Sequence, residues 1–170
     1  MTFRYLFTFL AGTAALCPVA AKPEAPDPGA ILKNLYKLHD AQKGPFFERK
    51  NRVLLEKYFT KELATLLLKD AAAADGEVGA YDFDPLYASQ DPQVKNFKIG
   101  PAHQAGVPGR EGNSVREAPA LVAVTFKDNG EARELRFEFE HQPDKTWRIS
   151  EIHYPDGISL LQLLRKAYPG

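Results

Sequence analysis

Residues 121–141 read LVAVTFKDNGEARELRFEFEH. Val122, Val124 and Phe126 take every second position early in this stretch, and Leu135, Phe137 and Phe139 do so later, interleaved with Glu134, Arg136, Glu138 and Glu140. A period of two places one side of each segment in a core and the other in water, the pattern of antiparallel strands. Asn129-Gly130 lies between the two segments. This pair suits the positive φ angles of a type I′ turn, so the stretch reads as a hairpin.

Toward the C-terminus, Pro143-Asp144 marks a second turn, followed by Trp147-Arg148-Ile149. The apolar residues then move from odd to even positions at Ile152 and Tyr154, which predicts a bulge near Ser150-Glu151. Ile158, Leu160, Leu161, Leu163 and Leu164 predict a closing helix that ends at Pro169-Gly170. Toward the N-terminus, Val94 to Ile99 reads as a further strand. Gly100 to Ala118, rich in Gly, Pro and polar residues, reads as a long mobile connection. Glu77 to Pro92 mixes aromatic and acidic residues without a sustained period, as an ordered loop or short helical turns would.

The first half has a helical period instead. Ile31, Leu32, Leu35, Tyr36 and Leu38 form one apolar stripe from Ala30 onward, with Lys33, Asn34 and Lys37 facing water, and Gly44-Pro45 stops the helix. Val53, Leu54, Leu55, Tyr58 and Phe59 give a second helical segment. Thr60 stands as the N-cap of a third, carrying Leu63, Leu66, Leu67 and Ala71 and ending at Asp75-Gly76. Helices first, then strands, then a helix predict an α+β domain, with N-terminal helices packed against a curved antiparallel sheet of about four strands and a closing C-terminal helix.

The 170 residues balance 22 Lys+Arg against 22 Asp+Glu, with 44% hydrophobic and 26% charged residues, as expected of one globular domain without the basic field that nucleic acid requires. The first 21 residues read as a signal peptide: Arg4 supplies the positive start, Tyr5 to Leu16 the apolar run, and Val19-Ala20-Ala21 the cleavage site. The run is too short to span a bilayer. Export to the periplasm or beyond is the expected destination. Cys17 is the alternative, as the lipid-modified residue of a lipoprotein, but Leu16 before it is not small. Cleavage after Ala21 removes the sole cysteine and with it any disulfide or thiol chemistry. Residues 22–29, KPEAPDPG, read as a linker, leaving a single domain over residues 30–168.

A set of short blocks supplies a resemblance: YFTKEL at 58–63, GEV at 76–78, DFDP at 82–85, QD at 90–91, FKIG at 97–100, WRIS at 147–150 and YPDG at 154–157. Together they resemble the exported bacterial family called domain of unknown function 3828, across about Ile31 to Leu164. The resemblance implies a nuclear-transport-factor-2-like or cystatin-like cone and a periplasmic or lipid-anchored protein, Leu16 departing from the lipid-anchored kind. It implies no catalytic residues.

Two clusters stand out as candidate sites. Tyr81, Asp82, Asp84, Tyr87, Gln90 and Asp91 form the densest aromatic-acidic group, suited to a ligand or partner surface or, as the plainer alternative, to capping turns. Three carboxylates could also hold a cation, but Pro85-Leu86-Tyr87 stands where a calcium loop needs a further oxygen ligand and a glycine. His153, Tyr154 and Asp156, with Glu151, end the last strand, where a proton-transfer pair or a partly exposed histidine beside a turn are both open readings. His39, His103 and His141 lack metal spacing. Neither a nucleophile elbow nor a phosphate-binding loop occurs. The functional expectation is a non-enzymatic binding or interaction domain without cofactor, an adaptor for another envelope protein or an immunity-type protein. The alternative is a small-molecule carrier or enzyme using the cone cavity. Folds of this kind also allow a homodimer through the open sheet face.

Overall fold

The computed structural model describes residues 26–104 and 118–169. The expected signal peptide, Cys17, the first half of the expected linker and residues 105–117 lie outside that range. The first helix, α1 (Pro28–Asp40), takes in the end of the predicted linker: Asp27 accepts a hydrogen bond from the Ala30 N–H at 3.0 Å, and Pro28 opens the first turn, where no N–H is needed. In α2 (Arg52–Tyr58), Asn51 caps by accepting from Leu54 N at 3.1 Å. Before α3 (Lys61–Ala74), Thr60 holds the cap position but its side chain makes no capping bond, contrary to expectation. Its backbone N–H donates instead to Ile149 O at 2.9 Å, so the sheet edge fixes this junction. Asp75, at φ 40°, and Gly76, at φ 98°, turn the chain out of α3.

Five antiparallel strands follow: β1 (Val94–Ile99), β2 (His103–Gln104), β3 (Ala120–Asp128), β4 (Glu131–His141) and β5 (Trp147–His153), with α4 (Leu160–Ala167) last. The order is β1-β3-β4-β5, and β2 pairs with β3. The strand beyond the expected four comes from the stretch read as pure connection, because His103 and Gln104 continue along β3 opposite Leu121 and Ala120. Asn129 and Gly130 have φ of 51° and 90°, as the hairpin requires. The predicted bulge is present: Glu138 faces Glu151, Phe139 faces Ile149, and Ser150 is the inserted residue. It lets Ile149 and Ile152 both enter the core.

Val122, Val124, Leu135, Phe137 and Phe139 are fully buried and share one cluster with Leu32 and Leu35 of α1, Leu55 of α2, Leu63 of α3, and Leu160 and Leu164 of α4. Each such side chain contributes roughly 1.5–3 kcal/mol of transfer free energy. Phe59 bridges to Ile149 and covers the free edge of β5. The free edge of β1 carries Lys95, Lys98 and a bulge between them with Asn96 at φ 55°, features that discourage edge-to-edge pairing. No helix among the described residues is long and apolar enough to cross a membrane.

Asp70, fully buried in α3, ties four segments together. It accepts from the Arg49 guanidinium, from Ala80 N at 2.7 Å and from the Tyr168 hydroxyl at 2.8 Å. Gly79 lies so close that a Cβ there would sit 2.3 Å from the Asp70 carboxylate. Gly79→Ala should therefore cost about 2 kcal/mol through that clash, and Asp70→Ala about 3 kcal/mol through its stranded donors. Thermal denaturation should show both as a lower Tm, by roughly 4–12 °C.

Candidate functional site

The 81–91 segment uses most of its polar groups to hold itself in place. Asp84 Oδ2 accepts from His39 Nε2 at 2.6 Å, and Oδ1 accepts from Leu86 N at 2.9 Å. The Asp84 N–H donates to Ser89 O at 2.8 Å, closing a tight loop. Tyr87 is buried, stacks edge-on against Phe126, and donates its hydroxyl to Asp40 at 2.5 Å. Burial, with the bond to Asp40, pushes the Tyr87 phenol well above its ordinary pKa. Tyr81 lies beneath the Arg49 guanidinium, 5.9 Å from its ring centre, and burial raises its pKa as well. Asp82 and Gln90 face water and share a hydrogen bond of 3.0 Å, and Asp91 is exposed.

The second cluster divides across the sheet. His153 lies on the outer face, 3.4 Å from Glu138. Tyr154 turns inward, packs edge-on against Phe83 with ring centres 5.1 Å apart, and donates to Pro85 O at 3.3 Å. Asp156 is exposed and accepts from Ile158 N at 3.1 Å. Glu151 anchors α4: its oxygens accept from Leu161 N at 2.9 Å and from the Ser159 hydroxyl at 2.7 Å. Asp84 and Glu151 thus have both carboxylate oxygens committed to the fold.

Gln90, Tyr154 and Asp156, three of the expected residues, come together around a cleft of about 270 Å³. Phe83, Ile158 and Leu163 give it apolar walls, and Ser89 adds a hydroxyl. Arg133 completes the lining and was not among the expected residues. Its position follows from strand geometry, since it shares the odd numbering of Leu135, Phe137 and Phe139 and continues their inward row opposite Phe126. An arginine in the apolar phase of a strand was the legible signal. One terminal nitrogen donates to Glu131 at 3.1 Å, while the buried Nε has no acceptor among the described residues. Among the described residues, no group of three or more His, Cys, Asp or Glu is placed to hold a metal. No family model, curated protein or solved structure matches the chain.

Tyr36, which donates to Leu86 O at 2.8 Å, and Tyr154 carry the loop on their hydroxyls, and burial holds both phenols well above their ordinary pKa. In the unfolded chain such phenols ionise near pH 10. The unfolded state therefore releases protons first, and stability is lost as pH rises beyond about 10. Thermal melts between about pH 8 and 12 should show this fall, flattened in Tyr36→Phe and Tyr154→Phe.

Proposed function

We propose that the chain is an exported, non-enzymatic binding domain of the domain of unknown function 3828 kind, a cone-like sheet around helices, whose cleft holds a small carboxylic or amino acid. Arg133 carries this reading. A buried donor without an acceptor costs about 1–3 kcal/mol. Rotation of the guanidinium toward an acid group in the cleft would supply that acceptor and recruit the charge. Phe83, Ile158 and Leu163 offer the ligand an apolar bed, and Asp156 suits an ammonium group. The 270 Å³ volume fits a molecule of amino-acid size. The commitment of Asp84 and Glu151 to loop and helix anchoring favours binding over proton transfer.

The test is a thermal-shift series of amino acids and small carboxylates on the purified protein. A ligand present at a hundredfold excess over its Kd adds about 2.7 kcal/mol of stability, a rise in Tm of roughly 5–10 °C. Arg133→Met should fold with a similar Tm and lose that rise. Failure of every compound to shift the wild type, or an equal shift in the variant, would overturn the reading and turn attention to an envelope protein as the partner.

A further inference from the structure

We infer that a second groove, whose lining shares no residue with the Arg133 cleft, binds an apolar carboxylate through Arg148 and Lys57. The groove has a volume of about 450 Å³ and is assembled from three separate stretches: the start of α1, the end of α2 and the start of β5. Ile31, Tyr58 and Trp147 supply apolar and aromatic surface, and none of the described residues that line it is acidic. Lys57 sits 5.5 Å from the centre of the Tyr58 ring, a cation–π distance.

Arg148 is the telling residue. Every other described arginine forms an ion pair with a carboxylate. Arg148 instead donates Nε to Glu56 O at 2.8 Å and a terminal nitrogen to Trp147 O at 2.9 Å. Two backbone carbonyls therefore fix the orientation of the guanidinium without neutralising its charge. Asp144, near enough to sense that charge, bonds to Thr146. A pre-oriented cation beside an aromatic wall, with a second cation nearby and Asp144 engaged by Thr146, suits an anionic head on an apolar body.

Trp147 is the single tryptophan of the chain, so its fluorescence reads this groove alone. The probe is decanoate, compared with uncharged decanamide on the purified protein. Decanoate should give a saturable blue shift, with decanamide at least roughly tenfold weaker. Arg148→Gln should weaken decanoate by a similar factor. Because Arg148 also braces the carbonyl of Glu56, Lys57→Gln serves as the variant at an exposed position that leaves the fold intact, and it should weaken binding roughly threefold. Arg133→Met should bind decanoate as the wild type does, which separates this groove from the cleft. Equal affinity for decanamide, unchanged affinity in both groove variants, loss of the response in Arg133→Met, or no saturable response would each overturn the proposal. Sedimentation with phosphatidylglycerol vesicles while decanoate leaves Trp147 unmoved would also overturn it, placing the two cations at a membrane surface.

Discussion

Leu135, Phe137 and Phe139 can enter one core only if β4 alternates strictly, and β3 must match it residue for residue across the hairpin. That alternation has consequences at both ends of the ladder. On one side, β5 cannot keep the same parity and still bury Ile149 together with Ile152, so Ser150 is inserted and the phase is reset. On the other, the inward row extends past Leu135 to a position occupied by Arg133, and a cation is carried into the apolar layer. Arg133 thus lines the cleft from the phase that Leu135, Phe137 and Phe139 give to the core.

Local pattern made the hairpin, the bulge and the four helices readable, since each depends on residues within a few positions of one another. The loop at 81–91 was readable only as a cluster. Its roles depend on partners more than forty residues away, Asp84 with His39 and Tyr87 with Asp40, and no local period announces such pairings. Thr60 shows the opposite failure. Its residue type matches a cap, yet the tertiary bond from its backbone to Ile149 and the bridge at Phe59 decide the junction. Arg133 shares the odd phase of Leu135, Phe137 and Phe139, but its charge hides that phase from a pattern defined by apolar residues alone.

Two cations of this small domain are held in contrasting ways. Arg133 has a carboxylate neighbour but a buried donor left unsatisfied, so its orientation is open to change. Arg148 has its orientation fixed by two carbonyls and forms no ion pair among the described residues. The first arrangement favours a ligand that reorients the side chain, and the second favours one that fits a site already formed. A single fold thereby holds two arginines of different stiffness, one free to turn and one locked in place.

The bonds that close α3 reach far along the chain. Asp70 holds Tyr168 across a separation of 98 residues, and Glu62 holds Arg165 across 103, at 2.9 Å. Contacts of that span must await most of the polypeptide, and searching for them slows folding. Until α4 arrives, α3 lacks part of its covering and its aspartate lacks one of its donors. Though first in sequence, α3 therefore completes its native contacts only once the C-terminal helix is in place.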